Sequence, residues 1–153
     1  MTETLSKSQV AAQIRRELTA HIIDDAALVA APYSIYTLSD PRALREVRYV
    51  GQTAAPTRRY RQHLHTARLW LPDTTPWWIA SPRLRPLYTW LRALHRDGFR
   101  LPVMLLVARA ETERDALRLE REFICEHLAR GSELLNVEYA TLGQQLPLEH
   151  HRD

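Results

Sequence analysis

Two tyrosines, Tyr36 in Tyr33-Ser34-Ile35-Tyr36 and Tyr49 in Tyr49-Val50-Gly51, are followed along the chain by Arg59, His63, Glu120 and Asn136. A phenol has a pKa near 10, so at neutral pH it joins in proton transfer only with help from a neighbour, for which His63 is a candidate. Arg59 carries a planar guanidinium that can hold two phosphate oxygens at once. On a helix, the i, i+4 spacing sets Arg59 and His63 on one face. Arg58 and Arg61 flank Arg59, so helix register decides which arginine points inward; His65 is the substitute for His63. Glu120 stands three residues after Leu117 and four before Ile124, inside an apolar helical stripe. An unpaired carboxylate there costs on the order of several kcal/mol, so either a cation or an arginine must compensate it. Gly51 permits a close backbone approach at a strand end, although glycines also simply finish strands.

The surrounding sequence must place these groups. Val10, Ile14, Leu18 and Ile22 recur at four-residue spacing, with Ser6 or Ser8 as N-cap, and predict an amphipathic helix over 5–22. The β-branched and aromatic stretches Tyr33–Leu38 and Val47–Gln52, joined through Ser39-Asp40-Pro41, predict a hairpin. Pro56 suits the first turn of a helix to about Leu69, with Thr53 as a possible cap. Four prolines (72, 76, 82 and 86) then predict a loop. In it Trp77-Trp78, beside Arg83 and Arg85, could either contact DNA or cover the core. Leu87–Arg96 reads as a helix ended by Asp97-Gly98, and Val103–Ala108 as a central strand buried on both faces. A last helix over about 112–130 turns Leu117, Phe123, Ile124 and Leu128 inward, stops at Gly131, and leads to a loose polar tail.

At 153 residues, 45% of them apolar, the chain fits one core and one domain. No apolar run approaches the roughly 18 residues of a membrane helix, and the first ten residues are polar, so a soluble, cytoplasmic protein is expected. The lone Cys125 excludes an internal disulfide and reads as a helix core residue; without a Cys-x-x-Cys, a structural zinc site has little support. The net charge of +3 is small, but its distribution is uneven. Residues 41–70 hold seven arginines against the single carboxylate Glu46, whereas 111–138 hold eight carboxylates against four arginines. Lys7 is the only lysine among 21 basic residues, a bias that reduces what arginine usage alone can say.

Taken in order and spacing, Tyr36, Tyr49-Val50-Gly51, Arg59, His63, Glu120 and Asn136 resemble the GIY-YIG nuclease superfamily over roughly Tyr33 to Asn136, about two thirds of the chain. Ser34 stands where the first motif's glycine would be, and Val50 replaces the isoleucine of the second. The resemblance implies an α/β (α+β) domain over 31–138, with a small three-stranded antiparallel sheet flanked by helices, preceded by an accessory helix in 1–30 and followed by a tail, 139–153. It implies a divalent-metal-dependent endonuclease acting on DNA, RNA not being excluded. In that family pattern Tyr36 acts as general base or water positioner with His63, Tyr49 orients the reacting groups, and Arg59 steadies the phosphate. Glu120 holds Mg²⁺ (or Mn²⁺), while Gly51, Arg58, Arg61 and Asn136 meet the substrate. Asn136 has an equally simple reading as a loop cap. The rival expectations are a catalytically idle nucleic-acid-binding or interaction module on the same fold, and a nuclease with a dedicated protein partner docked on the N-terminal helix. No zinc finger or helix-turn-helix signature accompanies the motifs.

Overall fold

The computed structural model describes residues 4, 6–9, 20–26 and 30–136. In chain order these form β1 (Ile22–Asp24), β2 (Tyr33–Ser39), β3 (Val47–Thr53), α1 (Pro56–Ala67), a short 3-10 helix (Trp77–Ala80), α2 (Arg85–Arg96), β4 (Val103–Ala110) and α3 (Glu113–Ala129). The strands make one sheet in the order β1-β4-β2-β3, with β2 antiparallel to both β3 and β4. The expected three antiparallel strands are therefore present, but the sheet has a fourth. Ile22 pairs with Met104 in a parallel ladder instead of closing a helix, and Asp24 bonds Arg109 across the same pair. Four-residue spacing had suggested helix up to Ile22, and a three-residue strand is too short to show a period of its own. Residues 7–9 are helical; the rest of that proposed helix, 10–19, and the tail lie outside the described residues.

Position in the sheet, more than composition, decides which strand is buried. β2 has neighbours on both edges and helices over both faces, and every residue from Ser34 to Ser39 is buried. On one face Tyr36 and Leu38 join Tyr60 and Leu64 of α1 and Leu87 and Leu91 of α2. On the other, Ile35 and Val50 meet Ala116 and Ile124 of α3. β4, expected to be the doubly buried strand, alternates between buried and half-buried positions over much of its length. The sequence could not show this, because Ser34, Thr37 and Ser39 make β2 look like an exposed strand.

Helix ends follow local chemistry. Pro56 begins α1 without a side-chain cap; Thr53 accepts instead from Ala55 N–H, at 3.0 Å, in the preceding turn. Thr112 caps α3 by accepting from Asp115 N–H, with Glu113 and Asp115 in the first turn where the helix dipole favours negative charge. α3 turns Phe123, Ile124 and Leu128 to the core as expected but not Leu117, which is 49% exposed; fully buried Ala116 takes the inward place in that turn. A methyl group at 116 lets the helix lie close to the sheet, where leucine would hold it away. Trp78 is buried and donates its indole N–H to Thr66 C=O at 2.6 Å, whereas Trp77 faces solvent, so the tandem tryptophans divide between core and surface.

Candidate functional site

β2 and β3 bring the two tyrosines together. Tyr36 faces Gly51 across the antiparallel pair, and the Tyr36 and Tyr49 rings lie 6.2 Å apart. The missing side chain at Gly51 makes room for the Tyr36 ring: a Cβ there would lie 2.5 Å from both Cζ and Oη. Gly51→Ala therefore forces the phenol aside. Overpacking of this kind destabilises by about 1–3 kcal/mol. We expect a lower urea midpoint together with loss of the His63 hydrogen-bond signature in imidazole NMR; a variant unchanged in both would contradict the packing described.

α1 supplies the next layer. Of its three neighbouring arginines, Arg58 and Arg61 are exposed and Arg59 is half-buried, which settles the register. His63 is fully buried and His65 is exposed, so His65 drops out as the substitute. His63 Nε2 lies 2.7 Å from Tyr36 Oη, and its Nδ1 lies 3.2 Å from Tyr88 Oη. Tyr88, on α2, was not singled out from sequence. A buried neutral imidazole has two nitrogens to satisfy, one as donor and one as acceptor, and Tyr88 meets the second of them.

The electrostatics make this a neutral network. Burial pushes the Tyr36 hydroxyl far above the ordinary phenol range, with Tyr49 adding to the effect and the Arg59 charge opposing it. Tyr49 and Tyr88 are raised chiefly by the same desolvation, again against Arg59. Burial, helped by the Arg59 charge, pushes His63 down to about 3. A tyrosinate–imidazolium pair is thus unfavourable in both halves, and His63 is a poor proton acceptor. The same depression links to stability. The unfolded chain protonates His63 near its ordinary pKa of 6.5 and the folded chain does not. Stability from this group is therefore full above 6.5 and is lost as pH falls towards 3, at no more than about 1.4 kcal/mol per pH unit. His63→Gln should flatten that part of the acid-denaturation profile, read from urea midpoints across the range; identical slopes would contradict it.

Glu120 lies between the buried Ala116 and Ile124 on the inward side of α3, and is itself half-buried. Desolvation raises its carboxyl above the usual range, and its charge in turn helps raise Tyr49. Its side chain makes no hydrogen bond or ion pair with any described residue, in contrast to Glu122 and Glu126, which pair with Arg118 and Arg130. The arginine that could have explained a carboxylate in the stripe is not among the described residues around it. No group of three or more His, Cys, Asp or Glu side chains converges among the described residues, so there is no all-protein metal cage. One carboxylate suits only a hard cation that keeps its waters and takes further oxygens from substrate, which is the habit of Mg²⁺.

Asn136 is brought to this region but is occupied. Its Oδ1 accepts from Val50 N–H at 3.0 Å and its Nδ2 donates to Val50 C=O at 2.8 Å, so it pairs with the outer edge of β3 as a strand residue would. Leu135 N–H adds a bond to Arg48 C=O. With both amide atoms engaged by Val50, Asn136 holds the Tyr49-Val50-Gly51 strand in place. Arg58 and Arg61 remain at the rim, exposed and without ion pairs among the described residues. A groove of about 400 Å³ bordered by Asp40, Arg42, Trp90 and Arg96 shares no residue with this cluster. Compared with models of protein families, with curated proteins and with solved structures, the chain matches none.

Proposed function

We propose that this protein is a divalent-metal-dependent endonuclease that hydrolyses phosphodiester bonds in DNA, with Tyr36, Tyr49, Arg59, His63 and Glu120 at its reaction centre. The observation that carries this reading is Glu120: an inward, half-buried carboxylate without an ion pair among the described residues, electrostatically linked to Tyr49. A guanidinium and an unpaired carboxylate around one set of phenols form a complementary pair for a phosphate and its counter-cation. Glu120 would hold the ion, and a bound Mg²⁺ supplies charge neutralisation and a more acidic water.

The chain's own groups then position and stabilise. Tyr36 donates to His63 Nε2 in the tautomer whose Nδ1–H donates to Tyr88, while Arg59 donates to the Tyr36 oxygen, so the phenol is held between the imidazole and the guanidinium where it faces the attacking water. With His63 so hard to protonate, Tyr36 and His63 orient the water and do not take its proton. The pH–rate profile should accordingly lack a histidine inflection near 6.5. Tyr49 borders the same space, and Arg59 holds the phosphate oxygens as negative charge builds on them. The water oxygen bonds to phosphorus as the opposite ester bond breaks; the attacking water releases one proton to solvent, and the departing oxygen takes one up from solvent.

One observation favours a second reading. Tyr36 and His63 are each only 1% exposed, which suits a structural hydroxyl–imidazole network in a DNA-binding module without catalysis. The two readings separate on an end-labelled duplex, a branched duplex and single strands, each with Mg²⁺, Mn²⁺ or EDTA. The endonuclease gives metal-dependent internal cuts in at least one DNA. Salt-sensitive binding with no cuts in any of them would leave the binding module. An RNA strand of the same sequence tests the alternative substrate.

A further inference from the structure

Trp70, His95 and Phe99 form a ladder of rings on the surface between the C-terminal ends of α1 and α2. Trp70 and His95 lie 5.6 Å apart between centroids, and His95 and Phe99 5.3 Å, both edge to face. The outer members are open, Trp70 at 62% and Phe99 at 82% exposure. Phe99 is also held at φ 57°, a left-handed conformation that bulky side chains rarely adopt. The turn itself does not require this ring: the bond from Phe99 N–H to His95 C=O uses backbone only, and glycine or asparagine would make it with less strain. A phenyl group kept in a strained and exposed place gains nothing from the core.

The charge around the ladder identifies what would cover it. From Arg58 to Arg96 the chain carries eight arginines and one carboxylate, Asp73. Arg68 and Arg96, next to the ladder in sequence, are exposed, and their side chains make no hydrogen bond or ion pair among the described residues. The neighbouring Asp97 is already engaged by Arg42 and Arg100. Open aromatic faces beside unpaired arginines fit a strand of nucleic acid, whose bases stack and whose phosphates pair; a protein surface rich in apolar groups would leave the arginines unmatched.

The placement suits the candidate site. His63 meets Tyr88, and seven residues further along each chain segment Trp70 meets His95. On α2 that separation is about 10 Å of axial rise. It spans about three nucleotides at duplex spacing, fewer in a stretched strand.

We propose that Trp70 and Phe99, with Arg68 and Arg96, form a stacking platform for unpaired bases, so that the preferred substrate carries a single-stranded segment close to the cut. This rests on the nucleic-acid reading of the site. The test is fluorescence anisotropy in EDTA with a labelled oligothymidine strand and a blunt duplex. Trp70→Ala with Phe99→Ala should weaken single-strand binding by about 10-fold or more while duplex affinity stays within about 2-fold. Trp70→Tyr, which keeps a ring, should retain most of it, and equal melting temperatures show that the exposed positions leave the fold intact. Unchanged single-strand affinity would overturn the platform, as would an equal loss on duplex, or a change confined to self-association in sedimentation. Cleavage by the unaltered protein in Mg²⁺ keeps the two proposals separate. Strand binding through the ladder with no cutting sinks only the endonuclease, and cutting with ladder-independent binding sinks only the platform.

Discussion

The Glu120→Gln protein is expected to melt no lower than the unaltered chain and to have lost metal-dependent cleavage. Burial raises this carboxyl, so the folded state holds the proton more tightly than the unfolded state does. The ionised form therefore weakens the fold above its raised pKa, and the handicap fades as pH falls through it. Glutamine keeps the shape and removes the charge. At alkaline pH its melting temperature should equal or exceed that of the parent, and the two should converge in acid. A structural ion pair predicts the reverse, since breaking a buried pair costs about 3–5 kcal/mol. For turnover, losing the cation's stabilisation of the transition state is worth several kcal/mol, about 10³-fold or more. A variant that is destabilised yet cuts at the parental rate would refute both halves.

Arg59→Ala should lower turnover by about 10²–10³-fold, the magnitude seen when a preorganised donor to developing charge is removed. It also carries a readout independent of cleavage. The Arg59 charge is the second cause of the depressed His63, after burial. Its removal should move the imidazole titration upward, though not to the ordinary value, because burial remains. Arg58→Ala and Arg61→Ala, at exposed positions, should only weaken substrate binding in a salt-dependent way. Near-normal turnover in Arg59→Ala would move the phosphate contact to one of those neighbours.

What the sequence revealed about the fold depended on how local the signal was. The hairpin, α1, α2 and α3 were legible because Pro56 at a helix start, apolar residues at helical spacing, the stops at Gly98 and Gly131 and paired β-rich stretches act over a few residues. β1 was not: three residues carry no period, and its pairing with Met104 to Leu106 is a contact across most of the chain. The buried character of β2 was hidden for a related reason, since Ser34, Thr37 and Ser39 are covered by elements distant in sequence. Within the site, Glu120 could be singled out because a carboxylate in an apolar stripe is locally anomalous. Tyr88 could not, because a tyrosine in an amphipathic helix is ordinary until His63 is found beside it. Asn136 was noticed, but its work became clear only when β3 proved to be an edge strand whose backbone it completes.

The most direct measurement is the conversion of supercoiled plasmid to nicked circles by the purified chain, with Mg²⁺ and with EDTA, alongside Glu120→Gln. The unaltered protein should nick the plasmid in Mg²⁺ and not in EDTA, and the variant in neither. Plasmid left intact in Mg²⁺, or nicked equally by both proteins, would contradict the endonuclease proposal.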